Sequence, residues 1–289
     1  MKKRRLFETA MHGLFLLLGL IAVGFVLLIT VYLIVSGIPA IRRIGLIPFL
    51  FGTKWASTAA EPSFGILPFI LTSVYGTAGA VLIGVPIGFL TAVYLSKVAN
   101  AKVRAIMENA VSLLAGIPSI VYGFFGLMVV VPWITATFGG TGNSLLAVIL
   151  ILSAMILPTM VSLSETAVRA VPQAYREGSL ALGATKMQTL FKVTLPAAKS
   201  GVLNAIVLSI GRAIGETMAV ILVAGNRVAM PHSILDPVRP LTANIALELS
   251  YASGLQEKAL YATGVVLLLF IVIINITAHI ALRGKKEGA

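Results

Sequence analysis

The sequence contains no cysteine and little charge. Only 11% of its 289 residues are Asp, Glu, Lys or Arg. The lack of cysteine excludes disulfide bonds and thiolate metal sites, although it leaves the redox compartment open. His12, His232 and His279 are far apart and lack the spacing of metal ligands. We therefore expect no metal site.

Motifs of nucleotide-binding and hydrolytic chemistry are also missing. No GxxxxGK[ST] phosphate loop occurs in the sequence, so the chain is not expected to hydrolyse ATP by that chemistry. The dinucleotide motif GxGxxG is absent, and no Ser/His/Asp set is recognisable from spacing. These absences predict a protein without catalytic residues and without a cofactor of its own.

Apolar residues dominate instead. They make up 58% of the chain, and the mean hydropathy is +1.01. Such a hydropathy predicts an integral membrane protein in contact with lipid. The formal net charge of +12 is then explained by basic residues in loops on one side of the membrane. A nucleic-acid partner is not expected.

Six segments are long and apolar enough to cross a bilayer, for which a helix needs about 20 residues. They lie near residues 13–36, 67–96, 107–131, 144–163, 201–224 and 259–282. Period-2 alternation is absent, so a β-barrel is unexpected. The fold class predicted is an all-α, polytopic membrane protein with six transmembrane helices.

The distribution of Lys and Arg predicts the orientation. Of 22 such residues, 15 fall on the side that holds both termini and six on the other side, while Arg212 lies inside a span. The positive-inside rule therefore places both termini and residues 165–196 in the cytoplasm. The apolar run 14–35 is too long for a signal-peptide core of about 7–15 residues, so we expect it to remain as the first helix. Trp55 and Trp133 are predicted to anchor the outer interface.

These spans predict a division of the chain into three parts. Residues 1–60 form an N-terminal helix and an external loop, residues 61–282 form the main transmembrane domain, and residues 283–289 form a cytoplasmic tail. We also expect a short external helix near residues 243–250.

The cytoplasmic segment 165–196 is predicted to form two short helices. Pro172 suits a first helical turn, and Gly183 suits the left-handed position that ends a helix. Thr185 with Gln188 matches a capping box for the second helix, and Pro196 is expected to end it. From the residues alone, an interfacial helix on lipid and a docking element for a soluble partner are equally supported.

Charges within the fifth segment indicate a second site. Arg212 and Glu216 are four residues apart and are predicted to share one helix face. Charges at membrane depth are costly and face protein or a water-filled path. The pair is either a structural ion pair or part of an anion path, in which Glu216 keeps Arg212 from trapping the anion.

The third segment contains a predicted helix break. Pro118 removes a helical hydrogen bond, and Ser119 and Tyr122 place hydroxyl groups beside it. A broken helix at membrane depth suits a substrate path, and a kink that serves only packing is equally supported.

The cytoplasmic segment resembles the EAA loop of ABC-importer permeases, EAA–x3–G–x9–I–x–L–P. The matching residues are Glu177, Gly178, Ser179, Gly183, Val193, Leu195 and Pro196. The resemblance implies the type I (MetI-like) importer fold and a coupling role for Arg176, Glu177, Gly178, Ser179, Gly183 and Pro196. In that family the loop docks on a cytoplasmic ATPase subunit, which binds the ATP.

Three further stretches are similar to the phosphate-specific, PstC-type branch of that family. They read FGILPFI from Phe64, LLAGIPSIVYGFFGL from Leu113 and GRAIGETMAV from Gly211. The resemblance implies a phosphate path that includes Arg212, Glu216, Ser119 and Tyr122. It also implies an inner-membrane location and three partners: a PstA-type permease, a PstB-type ATPase pair and an external PstS-type phosphate-binding protein.

The resemblance has one notable departure. The family often carries Glu where this chain has Ser112, with Glu108 one turn earlier, so a role for that acid stays open. Three alternatives also stay open: a permease for sulfate or molybdate, a secondary transporter without an ATPase, and a sensory scaffold.

Overall fold

The computed structural model describes residues 2–283, and the predicted tail beyond Arg283 lies outside this range. The regular elements of the described part are helices, apart from one small hairpin of β1 (Trp55–Ala56) and β2 (Ser63–Phe64). The α-helices are, in order, α1 Lys2–Ile44, α2 Leu46–Phe51, α3 Leu67–Lys97, α4 Ala101–Gly116, α5 Ser119–Phe125, α6 Val131–Phe138, α7 Leu145–Arg169, α8 Gln173–Ala181, α9 Lys186–Thr189, α10 Leu195–Ala197, α11 Lys199–Gly215, α12 Met218–Val223, α13 Leu241–Glu248 and α14 Gly254–Arg283.

Five helical segments of the described range are long and apolar enough to span a membrane. They are Glu8–Ile44, Leu67–Lys97, Ser119–Phe138, Leu145–Arg169 and Gly254–Thr277. A sixth is counted if Lys186–Ala197 and Lys199–Gly215, which meet at an angle of 64°, form one bent span. The all-α class is thereby confirmed, and the described range holds five to six apolar spans where the sequence predicted six.

Helices α3 and α7 form the centre of the packing. Gly84 and Gly88 on α3 face Ile156 and Met160 on α7, and a Cβ at either glycine would lie 2.7 Å from the facing side chain. Small residues spaced four apart let two helices approach closely in a membrane, where dispersion contacts replace the hydrophobic effect. This face-to-face contact fixes the two helices to each other.

Helix α1 is much longer than a bilayer is thick. Its 43 residues extend over about 64 Å at ~1.5 Å per residue, against about 30 Å of hydrocarbon. The C-terminal part of α1 packs on α14, where a Cβ on Gly37 would lie 2.8 Å from the Ala262 backbone. The rings of Tyr32 and Tyr261 meet edge to face at 5.5 Å in the same contact.

Two predicted spans are interrupted. The segment predicted near 107–131 contains the end of α4, and the membrane-spanning stretch starts only at Ser119. The segment predicted near 201–224 is broken after Gly215, so it is not one continuous helix. The bounds of both spans were wrong because hydropathy alone does not register a break in the backbone; the first break was predicted from Pro118, and the second was missed.

The hairpin, α13 and the start of α14 pack around one buried carboxylate. Glu248 accepts hydrogen bonds from the Trp55 indole at 2.9 Å and the Gln256 amide at 2.9 Å, and it pairs with Arg239 at 2.8 Å. Trp55 is only 6% exposed, so its predicted role as an interface anchor is wrong. Its N–H is used inside the protein, whereas Trp133 is 53% exposed. Helix α13 itself confirms the short helix predicted near 243–250.

Candidate functional site

The predicted two-helix loop between α7 and α11 is present. Gly183 ends α8 with a φ of +84°, in the left-handed region that favours glycine. Thr185 and Gln188 form the predicted capping box. The Thr185 hydroxyl accepts from the Gln188 N–H at 3.2 Å, and the Gln188 side-chain oxygen accepts from the Thr185 N–H at 2.8 Å. Ser179 and Thr189 join the two helices through their hydroxyl groups at 3.0 Å. The connection between α8 and α9 is therefore fixed by the backbone conformation of Gly183 and by the Ser179–Thr189 hydrogen bond.

The second short helix continues further than the sequence predicted. A π-helical stretch from Leu190 to Thr194 follows α9. Pro196 does not end the helix but lies in the first turn of α10, where its missing N–H costs little. The chain bends instead after Ala197, where α11 begins at a 64° angle.

A groove opens between the two short helices. Its volume is about 570 Å³, and Ala174, Gly178 and Leu182 line it together with Gln188 and Val193. Leu182 is 90% exposed, and Arg176, Glu177 and Gly178 are exposed as well. An exposed leucine beside a groove of small residues offers a surface on which another chain can pack.

Three charged residues meet at the base of this loop. Arg169, in the last turn of α7, pairs with Glu165 at 2.8 Å and with Glu108 of α4. Glu165 is 7% exposed and belongs to α7, so the polar loop begins after Arg169. The contact ties α4 to the helix that leads into the loop. It gives Glu108 a structural partner, and nothing in it identifies a ligand.

Arg212 and Glu216 do not share a helix face in the structure. Helix α11 ends at Gly215, and Glu216 caps α12 by accepting from the Ala219 N–H at 3.1 Å. Among the described residues no ion pair joins Arg212 to a carboxylate. Arg212 is exposed and lies near enough to Tyr122 for its charge to act on the phenol. The arginine is thus available to an anion.

The predicted break near Ser119 is confirmed, and it has a chemical consequence. Pro118 has no N–H to pair with the carbonyl of Leu114, and the Tyr122 hydroxyl donates to this carbonyl at 2.9 Å. Ser119 begins α5 and is half-buried. The Tyr122 hydroxyl therefore stabilises the break, and its oxygen keeps acceptor capacity.

Sequence inspection missed the polar residues that surround the second break. Thr72, Ser73, Thr77 and Thr242 line a small cavity together with Glu216. Thr242 donates to the Glu216 carbonyl at 2.9 Å, and Ser73 accepts from the Leu241 N–H at 3.0 Å. The cluster of hydroxyl residues inside the apolar α3 segment could have indicated this cavity from the sequence. It was overlooked because the neighbouring residues give the segment a high mean hydropathy.

No group of three or more His, Cys, Asp or Glu side chains within residues 2–283 is arranged to hold a metal ion.

Replacement of Glu216 is expected to separate its capping role from its charge. Glu216→Ala removes the acceptor for the Ala219 N–H and should lower stability by about 1 kcal/mol, the usual effect of a lost cap. Glu216→Gln retains an acceptor oxygen and should stay within about 0.5 kcal/mol of the parent protein. Thermal unfolding of the purified protein measures both changes. A Gln variant as unstable as the Ala variant would contradict the capping role.

Broken helices in apolar segments are typical of polytopic membrane proteins that move a solute across the bilayer. A model of the family described as "binding-protein-dependent transport system inner membrane component" matches residues 84–285. The chain belongs to this family and is a multi-pass permease component of an ABC importer.

Individual relatives agree with this membership. The chain is 40% identical to the probable ABC transporter permease protein YqgH of Bacillus subtilis, over 89% of this chain and 86% of that protein. It is 34% identical to the phosphate transport system permease protein PstC of Pasteurella multocida, over 83% of this chain and 81% of that protein. The predicted PstC-type resemblance is confirmed.

Solved structures show the same fold. The inward-facing MetNI methionine ABC transporter matches with a TM-score of 0.62 at 22% identity, over 76% of this chain and 95% of that chain. A bacterial alginate ABC transporter in complex with its pentasaccharide-bound periplasmic protein gives a TM-score of 0.63 at 16% identity, over 92% of this chain and 94% of that chain. The predicted MetI-like fold is confirmed.

Proposed function

We propose that this permease forms the translocation path for inorganic phosphate in an ATP-driven importer. The observation that carries the proposal is Arg212, an exposed arginine at a helix break with no carboxylate partner among the described residues. A guanidinium binds the oxygens of phosphate in a fork geometry. The PstC relatives at 31–34% identity supply the substrate class.

The rest of the path follows from the same break. Glu216 accepts from the Ala219 N–H, and no ion pair joins its carboxylate to Arg212 within the described residues. Ser119 and Tyr122 are proposed to line the path as well. The Tyr122 hydroxyl donates to the Leu114 carbonyl at 2.9 Å, so it donates to an anion only after it leaves that carbonyl. An anion held by one arginine and neutral donors is bound without being trapped, because hydrogen bonds to neutral donors are about half as strong as charge-assisted ones.

Coupling is proposed to occur through residues 165–196. The exposed Arg176, Glu177 and Gly178 and the groove of about 570 Å³ offer a docking surface for an ATPase subunit that binds the ATP. Gly183 with Ser179, and Pro196 at the following bend, transmit its movement to α11. Both termini and this loop then face the cytoplasm, in agreement with the Lys and Arg distribution.

The proposed complex contains four kinds of subunit. Beside this chain it includes a PstA-type second permease, a PstB-type ATPase pair and an external PstS-type phosphate-binding protein. Binding of ATP closes the ATPase pair, and the loop converts this closure into alternate opening of the path to the two sides.

Reconstitution of the complex tests the proposal. The tagged chain is purified from its membrane, its partners are identified by mass spectrometry, and labelled phosphate uptake is measured in proteoliposomes. We expect an ATPase to co-purify, and we expect uptake to require ATP and to be competed by phosphate but not by sulfate or molybdate. Uptake without an ATPase indicates a secondary transporter, and equal competition by sulfate indicates a broader oxyanion permease. No transport combined with altered signalling indicates a scaffold.

A further inference from the structure

A basic cavity lies at the C-terminal end of α1, far from Arg212 in the sequence. It has a volume of about 520 Å³ and is bounded by the end of α1, by α2 and by the hairpin. Arg43 and Lys54 line it from opposite elements, and Thr53 and Ser63 add hydroxyl groups. The cavity therefore presents two cations and several neutral donors to a single space.

The backbone around this cavity is tightly fixed. Gly45 turns the chain from α1 into α2 with a φ of +89°. The backbones of Gly52 and Gly65 then cross so closely that a Cβ on Gly65 would lie 2.3 Å from the Gly52 carbonyl carbon. The hairpin and α2 are thus held together, which keeps Lys54 on the same cavity as Arg43.

The two cations have no counter-charge within the described part of the chain. No ion pair there involves Arg43 or Lys54. The single acidic residue between positions 45 and 66 is Glu61, which is exposed and does not line the cavity. Arginine beside lysine and hydroxyl donors is a combination that suits a phosphate group.

Helix α2, which lines this cavity with Pro48, also carries exposed apolar side chains. Leu46, Ile47 and Phe51 of α2 are 54%, 72% and 64% exposed, whereas Phe49 points into the protein and is fully buried. Helix α1 ends at Ile44, about two turns beyond the end of its apolar run near residue 36, so α2 begins past the apolar part of the span. A short helix with exposed apolar residues at this level rests among acyl chains near the head groups.

We propose that this cavity binds the phosphate head group of an anionic phospholipid. Arg43 and Lys54 contact the phosphate, Thr53 and Ser63 donate to its oxygens, and the acyl chains lie on Leu46, Ile47 and Phe51. A free phosphate ion would satisfy the same donors, but it would leave the adjacent apolar side chains without a contact. The bound lipid joins the end of α1 to the hairpin that packs on Glu248.

Native mass spectrometry of the purified complex, taken from vesicles of phosphatidylcholine with phosphatidylglycerol, tests this site. We expect the parent complex to retain phosphatidylglycerol. The double variant Arg43→Gln, Lys54→Gln should retain it about 30-fold more weakly, because each basic residue near an anionic surface contributes about a fivefold factor. Arg42→Gln is the matched control, since Arg42 is exposed on the same turn of α1 but does not line the cavity.

Three outcomes would overturn the proposal. If the Arg42→Gln complex lost as much phosphatidylglycerol as the double variant, the lipid would be held by the general positive charge and not by this cavity. Displacement of the lipid signal by inorganic phosphate would show a site for the free ion. Equal retention of phosphatidylcholine, or no retention of either lipid by the parent complex, would show that no anionic head group is bound. None of these results depends on phosphate uptake, so they leave the function proposed for Arg212 untouched.

Discussion

Replacement of Arg212 with Gln is expected to lower phosphate uptake about 10- to 100-fold. A hydrogen bond to a charged group contributes about 1.5–3 kcal/mol, and each ~1.4 kcal/mol corresponds to a factor of ten. Arg212 is exposed at the end of α11 and has no carboxylate partner in the described range. Its removal therefore leaves no buried counter-charge behind, and folding and assembly should be preserved. ATP-dependent uptake in proteoliposomes measures the effect.

Two further variants make this test specific. Arg212→Lys keeps the charge but loses the planar fork, so uptake should lie between those of the parent and the Gln variant. Arg227→Gln removes an equally exposed arginine from the loop after α12 and should transport like the parent. Normal uptake by a correctly assembled Arg212→Gln complex would remove Arg212 from the path.

Replacement of Gly183 with Val is expected to uncouple ATP hydrolysis from uptake. Gly183 has a φ of +84°, and an L residue pays about 1–2 kcal/mol in this region, with β-branched residues the most disfavoured. Relief of this strain moves α8 relative to α9 and distorts the Ser179–Thr189 contact of 3.0 Å. Phosphate transported per ATP hydrolysed should fall about tenfold, while the ATPase still binds.

Asparagine at the same position is the matched control. Asn enters the left-handed region readily, and no atom lies within 4 Å of a Cβ built on Gly183. Gly183→Asn should therefore couple like the parent. If both variants uncouple equally, the position acts through contact with the ATPase and not through backbone conformation. A change in anion selectivity in either variant would contradict the assignment of this loop to coupling.

The loop between α7 and α11 was predictable because its structure is encoded locally. Pro172, Gly183, Thr185 and Gln188 act on residues within one or two turns, and the capping box and left-handed glycine occur where the sequence places them. The roles of these residues in coupling remain predictions. The end of the second helix was placed too early because Pro196 also suits a first helical turn.

The environment of Arg212 was harder to predict from the sequence. The i, i+4 spacing predicts a shared face only if the helix continues, and GRAIGET gives no helix-breaking proline to indicate the break after Gly215. The break is stabilised by distant residues, because the Glu216 carbonyl accepts from Thr242 at 2.9 Å. Trp55 was misplaced for the same reason, since its partner Glu248 lies 193 residues away.

The close contact of α3 and α7 has a consequence for the transport cycle. A side chain cannot slide past Gly84 or Gly88 without collision, because Ile156 and Met160 fill the space that each glycine leaves open. We therefore expect α3 and α7 to move as one rigid body. The turn at residues 117–118, the bend after Ala197 and the gap at residues 216–217 interrupt neighbouring helices, and we expect them to act as hinges. All three hinges adjoin residues assigned here to the path or to coupling.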